Sequence, residues 1–286
     1  MNNLDKLEIK DLVDIFSEST ADVYLAITKA KKNLEKATKI ISNSIKNGGK
    51  IIYVGAGSSG RIGLVDALDV IPTFNERNWF LYSMAGGEPA VLDSLEGFED
   101  DYELGVADAK KNKISEKDIV VGLSASGNTK YVAGFFDYSR KVGAKNILIE
   151  NKQGGRCENL SDLIIFIDTG QEIIEGSTRL KSATAQKIIL NMFSSIAAIK
   201  NNKVFNNLMI DVTPINEKLV QRSIDIISTI MGCSLHKAQQ AYEESQRNIK
   251  LACIMIKYNL DIKKAKILLD KHKNNLREAL ENGNDN

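Results

Sequence analysis

Between residues 51 and 167 the chain alternates short, unbroken runs of β-favouring apolar residues with longer stretches whose apolar positions recur every three or four residues. Residues 51–54, 118–123, 146–149 and 163–167 are such runs, and 79–83 is a weaker fifth. A run without polar alternation, closed by a glycine as Val54 is by Gly55, reads as a strand covered on both faces. Strands and helices in alternation require parallel crossovers. The pattern therefore predicts an α/β fold: a doubly wound, mostly parallel five-stranded sheet with helices on both sides.

The flanks are helical. Leu7, Ile9, Leu12, Val13 and Phe16 keep helical spacing until polar residues 17–20 interrupt it. A longer helix follows over 21–46, with Leu25, Leu34, Ile41 and Ile45 on its apolar face and Gly48-Gly49 as its stop. Residues 178–200 read as another long helix and 201–213 as an irregular connection. From 216 to 280 the pattern is helical, broken near 232–234 and 259–261, where Ser234 and Asp261 suit N-caps. The chain thus divides into a sheet domain with N-terminal helices, 1–213, and a small helical domain, 214–286.

Charge narrows the class of partner. Of 286 residues, 38 are Lys or Arg and 37 Asp or Glu, a net charge of +1. So balanced a surface offers no overall field for nucleic acid or an anionic membrane, and any anion must be held by a local site. The expected partner is a small molecule. No stretch of eighteen apolar residues occurs. Three widely spaced cysteines, Cys157, Cys233 and Cys253, fit a reducing, cytoplasmic setting, and His236 and His272 stand in no ligand spacing with them, so no metal is expected.

Two loops carry candidate chemistry. The first strand runs into Gly55-Ala56-Gly57-Ser58-Ser59-Gly60-Arg61 and then a helical stretch. Glycine lets the backbone approach an anion, a helix N-terminus offers unpaired N–H groups, and Ser58 and Ser59 add hydroxyl donors, so Gly57, Ser58 and Ser59 suit a phosphate. The same letters satisfy G-x-G-x-x-G. A dinucleotide site, however, wants an acid at the end of the second strand, where Met84-Ala85-Gly86-Gly87 stands instead, and a ligand-free glycine turn is the plainer alternative. The third strand ends in Ser124-Ala125-Ser126-Gly127-Asn128-Thr129, again ahead of a helix. Parallel sheets bind ligands at the carboxyl ends of their strands, so both loops line one crevice, with Ser124, Ser126, Asn128 and Thr129 as polar contacts. Downstream, Arg179 and Lys181 stand at a helix start, against the macrodipole, which makes sense beside an anion or a carboxylate.

Taken together, the runs 55–61, 124–129 and 176–187 resemble a sugar isomerase (SIS) domain and, more closely, the N-acetylmuramic acid 6-phosphate etherases. Further stretches look like that family: Asp66 with Pro72-Thr73-Phe74, Ala85-Gly86-Gly87-Glu88, Glu96-Gly97-Phe98-Glu99-Asp100, and 203–212. The resemblance runs from about residue 4 to 280. It implies a homodimeric cytoplasmic lyase acting on a sugar phosphate, with no metal and no cofactor. It also implies Glu99 as the base that removes the C2 proton and Asp69 as the acid that helps lactate leave. Here the sequence departs from the family, whose serine, glutamate, cysteine and proline run is replaced by Leu68-Asp69-Val70-Ile71, a loop whose carboxyl is one methylene shorter. A non-catalytic sugar-phosphate regulator and a phosphosugar isomerase are the alternatives on the same fold.

Overall fold

The computed structural model describes residues 3–212, 214 and 216–283. They form two compact units: residues up to 68 with 78–197, and 69–77 with residues from 198 on. Residue 213, where the sequence pattern places the division, lies outside the described residues.

The first unit opens with helices α1 (Ile9–Glu18), α2 (Thr20–Lys29) and α3 (Lys31–Lys46). It continues as β1 (Ile51–Gly55), α4 (Gly57–Phe74), β2 (Phe80–Met84), α5 (Pro89–Leu92), α6 (Tyr102–Lys111), β3 (Ile119–Leu123), α7 (Lys130–Lys141), β4 (Lys145–Glu150), β5 (Leu163–Phe166) and α8 (Lys181–Lys200). The five strands pair in parallel in the order β2-β1-β3-β4-β5. Every residue of β1 and β3 is buried, as their unbroken apolar runs require. On one face Ile52, Val54, Val120 and Leu148 pack with Tyr131, Phe135 and Phe136 of α7. Each side chain so buried contributes roughly 1.5–3 kcal/mol. Tyr131 also ties elements together, its hydroxyl lying 2.8 Å from both Ser83 Oγ and Asp108 Oδ2.

Helices α6 and α7 meet backbone to backbone. A Cβ added at Gly105 would overlap the carbonyl oxygen of Tyr131, and one at Gly134 would overlap that of Tyr102. Only glycine permits this approach, and it fixes the two segments that precede these helices: the turn bearing Glu99 and the 124–129 loop.

Several expectations are corrected. The helix expected over 21–46 is two helices: the chain bends at Ala30, and Asn33 Nδ2 donates to the Ile164 carbonyl at 2.9 Å, tying α3 to the edge strand. Leu25, placed on the apolar face, is 53% exposed. The Leu68–Ile71 loop is helical, because α4 runs on through Pro72 to Phe74 and the Thr73 hydroxyl donates to the Asp69 carbonyl at 2.8 Å.

In the second unit the connection expected to be irregular holds an antiparallel hairpin, β6 (Val204–Phe205) and β7 (Leu208–Met209), turned by Asn206 at positive φ. Helices α9 (Glu217–Met231), α10 (Leu235–Glu244), α11 (Ile249–Tyr258), α12 (Ile262–Lys271) and α13 (Leu276–Asn282) follow. Ser234 and Asp261 cap as expected, accepting from the Lys237 and Lys264 N–H groups. The core gathers Ile227, Tyr242, Cys253 and Ile254. Buried Lys250 pairs with Asp211 at 2.7 Å, and Lys203 bridges Asp211 and Glu76, binding segment 69–77 into this unit.

Candidate active site

Register puts the loops after β1, β2 and β3 side by side, since Gly55 pairs with both Met84 and Leu123. At the first of them, a Cβ on Gly55 would stand 2.8 Å from Gly60 N, so the strand enters the helix with no room for a side chain. Gly57 takes φ +52 and lets α4 begin within two residues of the strand. Ser58 and Ser59 are half-buried in the first turn, and among the described residues neither hydroxyl has a hydrogen-bond partner. Free hydroxyls beside unpaired helical N–H groups make a receptor for an anion. Arg61, in the next turn, spends its guanidinium on three carbonyls, those of Ala90, Val91 and Asp93, at 2.9–3.1 Å. Its charge faces the same cleft while it fixes the chain leading towards Glu99.

The second loop is tied at its base and open at its tip. Ser124 is buried, with its Oγ 2.7 Å from Thr129 Oγ1 and its N–H donating to the Ile149 carbonyl. Ser126 and Asn128 are exposed. The Asn128 N–H donates to Ser126 Oγ at 3.2 Å, and Asn128 Oδ1 accepts from the Arg156 N–H at 3.1 Å. Gly127 turns the loop at φ +66.

Glu99 sits exposed on the 3₁₀ turn Phe98–Asp100, which opens at Gly97 with φ +87. Glu99 and Phe98 line a cleft of about 30 Å³ together with Ala56, Gly57, Met84 and Ala85. The structure thus brings Glu99 to the glycine turn. Asp69 is exposed on the last two turns of α4 and belongs to the second unit.

Arg179 is exposed ahead of α8, whereas Lys181 is buried and its amine pairs with Asp22 at 2.8 Å. The anion that two cations at a helix start called for is supplied within the chain: Glu172 accepts from the Lys181 and Ser182 N–H groups at 2.9 Å each.

Sequence reasoning missed Glu150. It closes β4 fully buried, where a charged residue reads as the first exposed position after a strand. Burial, aided by the facing Glu158, pushes its carboxyl up to about 7. The role of Arg61 was also hidden, since its partners are carbonyls that no sequence pattern marks.

A five-stranded parallel sheet with glycine- and serine-bearing turns at neighbouring strand ends defines an SIS-type protein. The SIS domain family model matches residues 95–196, and that of the glucokinase regulatory protein N-terminal SIS domain matches 33–140. Among solved structures, the phosphoheptose isomerase of Francisella tularensis shares the fold at 19% identity with a TM-score of 0.53, over 69% of this chain and 98% of that one. Nearer relatives specify the family. The N-acetylmuramic acid 6-phosphate etherase of Pseudothermotoga lettingae is 40% identical over 98% of this chain and 93% of its own length. That of Escherichia coli O1:K1 is 37% identical over 97% and 94%. This chain belongs to the N-acetylmuramic acid 6-phosphate etherase family.

Proposed function

We propose that the chain cleaves the D-lactyl ether of N-acetylmuramic acid 6-phosphate, giving N-acetylglucosamine 6-phosphate and D-lactate. The observation that carries this reading is the single cleft lined by Glu99 and Gly57, in a chain so similar over its whole length to proteins of that name. In the open-chain sugar the C1 carbonyl acidifies the C2 proton. Glu99 takes that proton, the C2–H electron pair forms a C2=C3 double bond as the C3–O bond breaks, and Asp69 protonates the departing lactate oxygen. Water then adds, hydroxyl to C3 and proton to C2.

Gly57, Ser58 and Ser59 hold the phosphate, while Ser124, Ser126, Asn128 and Thr129 take sugar hydroxyls or phosphate oxygens. Arg179 supplies charge to the substrate from the start of α8, and Lys181 adds its own while paired with Asp22. No metal or cofactor enters this scheme.

The working form is a homodimer in the cytoplasm. Helix α1 buries none of its residues, yet carries Ile9 79% exposed and Val13 57% exposed along with Phe16, an apolar stripe suited to a second copy. No helix among the described residues is long and apolar enough to cross a membrane.

The test is incubation with N-acetylmuramic acid 6-phosphate and assay of free lactate. Lactate in step with N-acetylglucosamine 6-phosphate supports the lyase. Tight binding without turnover would favour the regulator and overturn the proposal.

A further inference from the structure

Behind the 124–129 loop lies a carboxyl group that the scheme above does not use. Glu150 is fully buried at the carboxyl end of β4, and neither of its oxygens has a hydrogen-bond donor. Its Oε2 occupies the space behind Gly127: a Cβ built on that glycine would lie 2.5 Å away. Gly155 packs its backbone on Gly127 from the same side, and the Cys157 N–H donates to the Gly127 carbonyl at 3.0 Å. The loop therefore rests on Glu150 and on the 154–158 turn together.

The other acid of the cluster is Glu158. Its Oε1 accepts from the Gly154 and Gly155 N–H groups, and its charge opposes ionisation of Glu150. A buried carboxyl that receives no donor and faces a second carboxyl favours its protonated form. Of the neighbouring titratable groups, the Cys157 thiol is pushed up to about 12 by burial and stays neutral, while Arg156 and Lys152 are exposed. No cation is paired with Glu150 among the described residues.

We infer that Glu150 is a positioning residue for the sugar-phosphate loop: its neutral carboxyl packs behind Gly127 beside the 154–158 turn, and its ionisation sets a second carboxylate against that of Glu158 beneath the loop. The inference rests on the reading of the 124–129 loop as a phosphosugar site. With the carboxyl titrating at about 7, its neutral fraction falls steeply between pH 6.5 and 8.5. If only the neutral form presents the ordered loop, the apparent affinity falls by about twenty-fold over that range. The second ionisation of a phosphate monoester, near 6, is largely complete by pH 6.5 and works in the opposite sense.

The experiment is calorimetric titration of the full chain with N-acetylglucosamine 6-phosphate at pH 6.5 and 8.5, for the wild type, Glu150→Gln and Glu158→Gln. The expected result is a loss of about twenty-fold for the wild type, a change under threefold for Glu150→Gln, and a fall shifted to lower pH for Glu158→Gln, which removes the facing charge. An equal pH dependence in the wild type and Glu150→Gln would overturn the inference. Amide hydrogen exchange of the ligand-free protein tests it separately from the sugar-phosphate reading. Protection at Cys157 should drop above pH 7 in the wild type and persist in Glu150→Gln. If the sugar phosphate binds at neither pH while that protection pattern holds, the ligand assignment fails and the positioning role stands. If the protection pattern is absent, the positioning role fails.

Discussion

Replacing Gly105 with alanine tests how the sheet domain positions its chemistry. The added Cβ would overlap the Tyr131 carbonyl oxygen and stand 3.0 Å from Phe135 N, and both obstacles are backbone of α7 that no rotamer change relieves. Restoring van der Waals contact requires α6 and α7 to separate by roughly 1 Å, and such overpacking costs about 1–3 kcal/mol or more. With rigid backbone as the obstacle the crowding lies at the upper end, about 3 kcal/mol; alanine regains about 1 kcal/mol of helix propensity, and the net loss is about 2 kcal/mol. The consequence for activity is larger. Glu99 lies on the turn immediately before α6, and Thr129 immediately before α7. A separation of about 1 Å moves base and sugar loop apart and costs on the order of a hundredfold in kcat. Urea denaturation gives the first quantity and lactate release the second. A variant within about 0.5 kcal/mol of wild type and with unchanged kcat would refute the reasoning, since the margin of surface substitutions covers that much.

Other outcomes follow from the same geometry. Asp69→Glu lengthens the side chain by about 1.5 Å and should raise kcat for lactate release by about tenfold or more, as steady-state rates will show; a loss would mean that the helix already presents Asp69 at the right reach. The raised carboxyl of Glu150, about 7 against 4.5, favours the protonated folded state, so its contribution is present at low pH and lost as pH rises from 4.5 through 7. Denaturation midpoints should record a decline of up to about 3 kcal/mol over that window, abolished by Glu150→Gln. For Asp118 burial raises the carboxyl, but hydrogen bonds from Lys50 and Ser115 outweigh it and leave it lowered. Its stabilisation is therefore present above the ordinary aspartate range and lost as pH falls below it, and Asp118→Ala should cost about 2–4 kcal/mol by chemical denaturation at pH 7, leaving Lys50, just ahead of β1, without its carboxylate.

How far the sequence carried depended on which residues set each feature. The five strands were legible because their apolar runs are short, β-favouring and bounded by glycine or charge, with helical patterns between most of them. The two hydroxyl loops followed from strand order and were found where parallel connectivity places them. The break at Ala30 was not legible, for no glycine or proline marks it, and the contact that ties α3 to the sheet reaches a carbonyl 131 residues away. The stretch around Asp69 reads as a loop, yet α4 runs on through Pro72 to Phe74. Lys181 was read correctly as needing an anion, but Asp22 lies 159 positions earlier, beyond any local pattern. Glu150 stayed hidden because a buried carboxyl is recognised only once its neighbours are known.

The central claim is that Glu99 removes the C2 proton of a bound muramic acid phosphate. Its most direct measurement is turnover in deuterated water with mass analysis of the amino sugar product, comparing the wild type with Glu99→Gln. One deuterium at C2 of the wild-type product, with neither deuterium uptake nor lactate from the variant, is the predicted result. Wild-type product lacking C2 deuterium, or a variant that still exchanges, would contradict the account.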